Sequence, residues 1–305
     1  MSLSATVSSG LTTGEASFIE AAKCDGRLFI EQPYELYSEA NQQAWRLLYS
    51  RMKPRWLSYA NPAFLRGIQS LALDPKRIPH LDDVNQFLCP LTGFQAKAVS
   101  GYVPAFVFFD CLRNRQFPTT ITIRRGDKLD YLPEPDIFHD IAGHVPMHTD
   151  RAFADTLVHF GECAHTAASI AASIPDSSKR TRTLTSMIRA MARFFWFTIE
   201  FGLMQSSDGL RVYGSGLLSS FGEIQHAIES DCVQRFPLQL EWVVNQAFKI
   251  DHFQPLLFIV ESFDRLYKEV DRLNQWLTEG RLNNVAPGEP TVNEHDLESF
   301  LAAVG

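Results

Sequence analysis

The apolar residues of this chain recur mainly at the spacing of an α-helix. Trp45, Leu48 and Tyr49 lie three and four residues apart within residues 32–52, so they share one face of a predicted helix. Polar residues fill the intervening positions, which is the pattern of a helix packed against a core on one side. The chain therefore begins its folded part with an amphipathic helix.

The next part of the chain has a less regular pattern. Residues 80–95 predict a short helix that ends before Pro90, because proline removes a helical hydrogen bond. Residues 98–125 are aromatic, interrupted by glycine and proline, and end in TTITIRRGD, which alternates like a strand. Beyond Pro135 helical patterns return over residues 150–174, 181–205, 218–230 and 254–277.

These patterns predict one domain rather than several. No internal repeat or Gly/Pro-rich linker divides the 305 residues. We expect a mainly α fold with a small β portion in its first half. The folded domain is expected over residues 26–280, between a mobile N-terminal tail (1–25) and a polar, peripheral C-terminal tail (281–305).

Composition narrows the possible partners and compartments. The net charge of −7 and the pI near 5.7 argue against nucleic acid or an anionic membrane surface as the main partner. The N-terminus lacks the basic start and apolar core of a secretion signal, and no apolar run reaches the roughly 18 residues of a membrane span. The cysteines are odd in number and form no C-x-x-C pair, which predicts reduced thiols in the cytoplasm. They are Cys24, Cys89, Cys111, Cys163 and Cys232.

Two histidines stand five residues apart in PDIFHDIAGHVP. In a regular α-helix each residue turns about 100°, so His139 and His144 would point roughly 140° apart. They share a ligand face only if the helix is distorted or ends between them, and Gly143 and Pro146 supply such an irregularity. The alternative is structural, with each imidazole buried beside its own hydrogen-bond partner.

A lone carboxylate, Glu200, stands among the apolar residues of FFWFTIEFGLM. A buried, unpaired carboxylate is costly or becomes neutral, and Arg193 is seven residues away. A metal bound by His139, His144 and Glu200 removes this problem, in the facial arrangement of non-haem Fe(II) oxygenases. A zinc hydrolase with the same ligands and Asp140 as general base is the alternative. The aromatic surroundings of the glutamate favour the oxygenase.

Four motifs in order carry a family resemblance: EPDIFHDIAGHVP, FFWFTIEFGLMQ, YGSGLLSSFGEIQ and QPLLFIVESF. Together they resemble the pterin-dependent aromatic amino acid hydroxylases, over about residues 30–270. The resemblance implies Fe(II), a tetrahydropterin and O₂, with hydroxylation of the ring of an aromatic amino acid. It makes residues 26–280 the catalytic domain and implies iron ligands at His139, His144 and Glu200.

The short chain, with DYLPEPDIFHD, is most similar to the bacterial phenylalanine-hydroxylating members. It leaves no room for the regulatory domain or the tetramerisation helix of the animal enzymes. We therefore expect a monomer, with a dimer as the alternative. The expected partners are a small aromatic amino acid and a pterin.

The resemblance also implies residues that bind the substrate backbone. Arg124 matches the arginine that binds the substrate carboxylate, a role that suits the guanidinium fork. Asp136 matches the residue that orients that arginine, and Ser219 matches a hydroxyl near the substrate and the iron. Their alternatives are a solvated turn arginine, an acid favoured at a helix N-terminus, and a turn serine. Arg125 is a neighbour that competes for the role of Arg124.

Two aromatic sets follow from the same resemblance. Pro135, Trp196 and Phe201 are expected to line the pocket for the substrate ring, although core packing explains any single aromatic residue equally well. The pterin is expected to stack on Phe108, or on the adjacent Phe109. The backbone of Gly101 to Val103 would then contact its polar edge.

Some positions depart from the pattern of the animal enzymes. Asp140 replaces a glutamate beside the first ligand and is one methylene shorter, so its contact to the pterin is expected to pass through water. Pro118 stands at a histidine position, and Leu132 at a threonine position near the substrate. These changes affect details of binding rather than the class of reaction.

The choice of ring rests on two residues. Trp196 is typical of phenylalanine- or tyrosine-hydroxylating members, and Ile250 is apolar where tyrosine-hydroxylating members tend to have an acid. Phenylalanine is therefore the predicted substrate. The alternative substrates are tryptophan and tyrosine, and the alternative position of attack on phenylalanine is the meta carbon. A helical binding protein without turnover is the alternative to an enzyme.

Overall fold

The computed structural model describes residues 10–127, 129 and 134–303, and within them helices predominate. The mainly α fold with a small β portion is thus confirmed. The α-helices are α1 (Ser17–Cys24), α2 (Glu39–Tyr59), α3 (Pro62–Ser70), α4 (Leu81–Thr92), α5 (Ala105–Arg113), α6 (Arg151–Ala172), α7 (Ser177–Phe195), α8 (Ser215–Leu218), α9 (Phe221–Glu229), α10 (Leu240–Asn245), α11 (Phe263–Thr278) and α12 (Glu294–Ala302).

Within the described ranges, two π-helices and two 3₁₀ turns complete the helical part. The first π-helix is Phe138–His144 and the second is Trp196–Glu200, which directly continues α7. The 3₁₀ turns are Tyr34–Leu36 and Met147–Thr149. Among the described residues, no helix is both long and apolar enough to cross a bilayer.

The strands form two separate sheets. They are β1 (Gln95–Val99), β2 (Gln116–Thr120), β3 (Leu203–Ser206), β4 (Gly209–Val212), β5 (Gln234–Pro237) and β6 (Leu256–Val260). Strands β1 and β2 pair in parallel, with Gln95 opposite Gln116. The second sheet has the order β4-β3-β6-β5, in which only the hairpin pair β3–β4 is antiparallel.

The long helices begin at side chains that satisfy their free N–H groups. Ser38 and Asn41 form a capping box at the start of α2. Asp150 accepts from the N–H of Phe153 at 3.1 Å and so caps α6. Such caps stabilise a helix by about 0.5–2 kcal/mol each. The capped helices α6 and α7 form the framework from which the second π-helix extends.

Several sequence expectations about these elements were wrong. Helix α4 does not end before Pro90 but continues to Thr92. Because Pro90 lies in the last turn, its missing N–H costs the helix a single bond. Residues 98–125 do contain strand β2, but their first part forms helix α5, since Phe106, Phe109 and Leu112 form one buried face at helical spacing.

The larger sheet was also not predicted. We expected helices beyond Pro135, yet β3 to β6 all lie in that part of the chain. The apolar run Leu256–Val260 is a strand, although the pattern of residues 254–277 predicts a helix from its start. Runs of four or five apolar residues do not distinguish a buried strand from a buried helical turn.

Both end segments make defined contacts where they are described. Leu11 is fully buried, and the N–H of Thr13 donates to the carbonyl of Ile123 at 2.9 Å. At the other end Phe300 of α12 is fully buried against the helical core. The composition of the two tails did not predict this packing. Residues 1–9 and 304–305 lie outside the described part, and the domain boundaries at 25 and 280 stay predictions.

Candidate active site

The first π-helix resolves the five-residue spacing of the two histidines. The N–H of Val145 donates to the carbonyl of Asp140, five residues back, at 3.2 Å. Hydrogen bonds over five residues bring His139 and His144 onto the same side of the helix. The sequence required the helix to be distorted or to end between the histidines if they share a ligand face, and the structure shows a distortion, a π-helix that spans both.

Gly143 allows this helix to approach helix α8 closely. A β-carbon at position 143 would lie 3.1 Å from the carbonyl oxygen of Ser215 and 3.2 Å from the β-carbon of Ser219. Both distances are shorter than ordinary carbon contacts, so a larger residue would push α8 away. The glycine therefore serves packing between the histidine-bearing helix and α8 rather than ending the helix.

The three predicted ligands converge. The Nε2 atoms of His139 and His144 lie 3.2 Å apart. Glu200 places one carboxylate oxygen 3.1 Å from Nε2 of His144 and the other 3.7 Å from Nε2 of His139. Ligands that bind one ion at about 2.1 Å and at right angles lie about 3 Å apart. The spacing of the three donor atoms, all within 4.8 Å of one another, thus fits a single metal ion.

Glu200 lies at the end of the second π-helix. The N–H of Phe201 donates to the carbonyl of Trp196, five residues back, at 2.9 Å. Burial by itself raises the pKa of this carboxyl, but His144, His139 and a hydrogen bond from Ser215 outweigh it and bring the pKa to about 2. The carboxylate is therefore ionised in the absence of any metal. It is ready to act as an anionic ligand.

The hydrogen bonds of His139 fix the nitrogen that faces the metal site. The hydroxyl of Ser219 donates to the carbonyl of Ser215 at 2.9 Å, so its oxygen is free to accept from Nδ1 of His139 at 2.7 Å. The ring proton then sits on Nδ1, and the lone pair of Nε2 points to the site. Burial lowers the pKa of His139 to about 4, which keeps this ring neutral.

Ser215 was missed by the sequence reasoning. Its hydroxyl donates to the Glu200 carboxylate at 2.9 Å and lies 2.9 Å from Nε2 of His144. Ser215 begins α8, next to the Gly143 contact. The serine in YGSG had no signal of its own, because its role depends on the approach of α8 to both π-helices.

Arg124 and Asp136 form a buried pair beside the metal site. Nε and Nη2 of Arg124 donate to the two carboxylate oxygens of Asp136 at 2.7 and 2.9 Å. Asp136 also accepts from the N–H of His139 at 2.9 Å, so one carboxylate positions both the arginine and a metal ligand. Burial opposes its charge, but Arg124 lowers the pKa of Asp136 overall.

The structure separates Arg124 from its neighbour. The side chain of Arg124 is 4% exposed and borders a cleft at the metal site. That of Arg125 is 51% exposed and pairs with Asp127 and Glu15. Arg124 is therefore the arginine that a bound molecule would meet.

Two clefts meet at the metal site. The larger cleft, of about 610 Å³, runs towards α1 and β1 and has Asp140 and Thr120 in its wall. The aromatic cleft, of about 420 Å³, runs towards α7 and α8. His139 and Glu200 border both clefts, so a molecule in each cleft would approach the metal from its own side.

The predicted binding residues line the two clefts, and three of them, Val103, Phe108 and Pro135, border both. The aromatic cleft is lined by the predicted substrate residues Arg124, Pro135, Trp196, Phe201 and Ser219. The larger cleft is lined by the predicted pterin residues Gly101, Val103, Phe108 and Asp140. Asp136 lies behind Arg124 and is fully buried. Phe109 borders the aromatic cleft but not the larger one, whereas Phe108 borders both.

The departures from the family pattern fall at different places. Pro118 borders the larger cleft. Leu132 lies outside the described residues. Ile250 is 47% exposed and borders neither cleft, so it does not contact a ring bound there, whereas Phe248 does border the aromatic cleft. The Phe248 ring stacks on Trp196 with centroids 4.1 Å apart.

A buried chain of hydrogen bonds behind Trp196 was also not predicted. Its indole N–H donates to the side-chain oxygen of Gln254 at 3.1 Å. The backbone N–H of Gln254 in turn donates to Glu223 at 2.7 Å. Gln254 follows the loop that contains Phe248. The two hydrogen bonds therefore connect Trp196, this loop and α9. Only the tertiary fold brings these residues together.

Glu223 should make stability depend on pH. Burial raises the pKa of this carboxyl from 4.5 to about 7, against the opposing hydrogen bond from Gln254. Because the pKa is raised in the folded chain, the stabilisation is present at pH 4–5 and is lost as the pH rises through 7. Between pH 5 and pH 8 the wild type should therefore lose about 2.5 kcal/mol in free energy of unfolding that Glu223→Gln keeps.

Urea denaturation of the metal-free proteins at pH 5 and pH 8 measures this difference. Glu241→Gln, at an exposed glutamate, is the matched control and should show no such change with pH. A Glu223→Gln difference that is the same at both pH values would contradict the prediction.

Comparison with known proteins agrees with this geometry. Residues 30–280 match the family of biopterin-dependent aromatic amino acid hydroxylases. A phenylalanine-4-hydroxylase of Caulobacter vibrioides is 39% identical over 237 residues, which cover 78% of this chain and 76% of the relative. One of Ralstonia nicotianae is 37% identical over 238 residues, covering 78% and 71%.

A solved structure gives the same result. Phenylalanine hydroxylase from Chromobacterium violaceum with bound oxidised Fe(III) superposes with a TM-score of 0.73 and 32% identity, covering 85% of this chain and 92% of that one. The chain therefore belongs to the biopterin-dependent aromatic amino acid hydroxylases. This membership confirms the predicted enzyme class, an aromatic amino acid monooxygenase that uses iron and a tetrahydropterin.

Proposed function

We propose that this protein hydroxylates the ring of free L-phenylalanine to give tyrosine, with O₂ and a tetrahydropterin as co-substrates. The observation that carries the proposal is the convergence of His139, His144 and Glu200 at the junction of two clefts. The phenylalanine-4-hydroxylases among its relatives support the choice of substrate.

The donor set suits iron. Two neutral imidazoles and one carboxylate on a single face leave the opposite coordination positions open, as in non-haem Fe(II) oxygenases. When bound, the iron supplies the activation of O₂ together with the reduced pterin. His139, His144 and Glu200 would hold it, and Ser219 would keep His139 in the required tautomer.

The aromatic cleft suits the amino acid. Arg124 is oriented by Asp136 and has donor atoms left at the cleft for the substrate carboxylate. Trp196, Phe201 and Pro135 supply apolar surface for the ring and exclude water. The cleft thus offers a partner to the carboxylate and to the ring of phenylalanine. His139 and Glu200 border the same cleft, so the ring would lie beside the metal site.

The larger cleft suits the pterin. Phe108 offers a ring face, and the backbone at Gly101 and Val103 offers polar atoms to the edge of a flat heterocycle. Asp140 lies in the same cleft and accepts from the N–H of Thr120 at 2.6 Å. That bond leaves its other oxygen for the pterin or an intervening water.

Phenylalanine should be the preferred substrate in direct competition. The walls formed by Trp196, Phe201 and Phe248 bury a tyrosine hydroxyl without a partner, at a cost of roughly 1–3 kcal/mol. This corresponds to about five- to 150-fold discrimination against tyrosine. Purified protein with Fe(II), tetrahydropterin and equal amounts of phenylalanine, tyrosine and tryptophan should yield mainly tyrosine formed from isotopically labelled phenylalanine.

Omitting the pterin, or replacing Fe(II) with Zn(II), should stop product formation and serves as the control. If 5-hydroxytryptophan or dihydroxyphenylalanine dominates, the substrate is wrong although the class of reaction stands. If meta-tyrosine forms, the position of attack is wrong. No product with any of the three amino acids would refute the proposed function.

We also propose that the protein acts in the cytoplasm as a monomer. The five cysteines are all free thiols, which supports a reducing compartment. His139, His144 and Glu200 all come from one chain and converge within it, which supports a site that a single copy can form.

A further inference from the structure

Helix α12 lies outside residues 30–280, which match the family, yet it packs against the helices around the clefts. Phe300 is fully buried and makes an edge-to-face contact with Phe106 of α5 at 5.1 Å between centroids. Contacts with α5, α6 and α7 hold the helix in place. The segment that we predicted to be peripheral is thus part of the wall behind the aromatic cleft.

Asp296 connects α12 to the loop before α5. One of its carboxylate oxygens accepts from the phenol of Tyr102 at 2.5 Å and from the N–H of Ala105 at 2.8 Å. The other accepts from the N–H of Asn293 at 3.4 Å, within the capping box of α12. Asn293 also donates to the Tyr102 oxygen, at 2.8 Å.

These bonds supply the cap that α5 lacks. The residue before the helix is Pro104, which offers no side-chain acceptor to the first N–H groups. Asp296 satisfies the N–H of Ala105, and the hydroxyl of Ser299 accepts from the N–H of Phe106 at 3.2 Å. An acid at a helix N-terminus is also favoured by the helix dipole. The start of α5 is therefore fixed by side chains of α12.

The fixed segment borders both clefts. Tyr102 stands between Gly101 and Val103, the two residues proposed to contact the polar edge of the pterin, and all three border the larger cleft. Phe108, the proposed stacking residue, lies one turn along α5 from Ala105. Burial and the bond to Asp296 raise the pKa of Tyr102 to about 12, so its hydroxyl remains a donor at neutral pH.

We propose that Asp296 is a positioning residue for the pterin: through Tyr102 and the start of α5, it holds residues 101–103 and Phe108 in the arrangement that binds the cofactor. The inference rests on the proposed function, in which the larger cleft takes the pterin. It assigns a role in cofactor binding to a helix beyond the part of the chain that matches the family.

Two substitutions in the 305-residue chain test this role. Tyr102→Phe removes the hydroxyl and leaves the capping box of α12 intact. Asp296→Asn keeps the shape of the side chain and removes its charge. The measurement is the dissociation constant for 7,8-dihydrobiopterin, a pterin that cannot support turnover, by calorimetry on the iron-loaded protein.

Each substitution should weaken dihydrobiopterin binding about five- to fifteenfold, since a charged hydrogen bond is lost. The double variant should have the same dissociation constant for dihydrobiopterin as whichever single variant binds it less tightly, because both changes break the same connection. The iron content of each variant should differ from that of the wild type by no more than about 20%. Glu298→Gln, an exposed change on the same helix, is the matched control and should leave the affinity unchanged.

Unchanged affinity in both single variants would overturn the proposal. So would effects that multiply in the double variant, because the two residues would then act independently. If Asp296→Asn fails to fold, Tyr102→Phe alone decides the outcome. If the wild-type protein neither binds dihydrobiopterin nor turns over phenylalanine, the proposed function is wrong. If the wild type does both and the variants bind normally, only the role of Asp296 is wrong.

Discussion

Glu200→Ala is expected to abolish iron binding and ring hydroxylation while the chain stays folded. The substitution removes the anionic ligand of the triad, and two neutral imidazoles alone hold iron weakly. Turnover should fall by at least about a thousandfold, because the metal contributes several kcal/mol to the reaction barrier. Metal content by atomic absorption, together with product formation, measures the effect.

Two further variants make the result specific. Glu200→Gln keeps the volume of the side chain and should lose most of the iron, which separates the loss of charge from the loss of packing. Glu241→Ala removes an exposed glutamate and should keep full iron content and activity. Metal-free Glu200→Ala should have a lower free energy of unfolding at neutral pH, because the partners of the carboxylate lower its pKa and so make the ionised group stabilising. Full iron content in Glu200→Ala would show that the triad is wrong.

Arg124→Lys is expected to weaken phenylalanine binding steeply, whereas Arg125→Lys should change it less than about twofold. Lysine keeps the positive charge beside the fully buried Asp136, so the carboxylate is not left without a cation. A single ammonium cannot serve Asp136 and the substrate carboxylate together in the planar geometry of the guanidinium. The loss should be roughly 2–5 kcal/mol in catalytic efficiency.

Steady-state kinetics with varied phenylalanine measures this loss, mainly as a higher Michaelis constant. Iron content should be retained in Arg124→Lys, because Asp136 still accepts from the N–H of His139. Loss of iron in this variant would show that the arginine supports the metal site rather than the substrate. If Arg125→Lys has the larger effect, the carboxylate site lies one residue away from the proposed position.

The metal site was predictable from the sequence because local chemistry pointed to it. Glu200 stood in an apolar run with no cation nearby, and His139 and His144 stood at a spacing that a regular helix cannot use. Each anomaly is visible within a dozen residues. The structure confirms that the three side chains come together, while their role in catalysis stays a prediction for the variants to test.

The support around the site was not predictable in the same way. Ser215, Gln254 and Asp296 act through partners about 15 to 190 residues away, and none of them differs in its local sequence from an ordinary surface residue. The sheet β3 to β6 was not predicted for a related reason, since β6 pairs with β3 and β5 over long separations, and such pairing overrides the local helical pattern. Side chains that carry charge into an apolar run are conspicuous, whereas side chains that complete another element's hydrogen bonds are not.

The first π-helix limits the proteins into which the segment PDIFHDIAGHVP can be transplanted as a metal-binding unit. In an α-helix, residues four apart already share a face, so a chain with one residue fewer between the histidines needs no π-turn. Transplanting PDIFHDIAGHVP onto an ordinary helical scaffold would rotate one imidazole away, even though every side chain is retained. A graft must therefore either carry both π-helices as whole units with the five-residue spacing, or shorten that spacing by one residue to suit a regular α-helix.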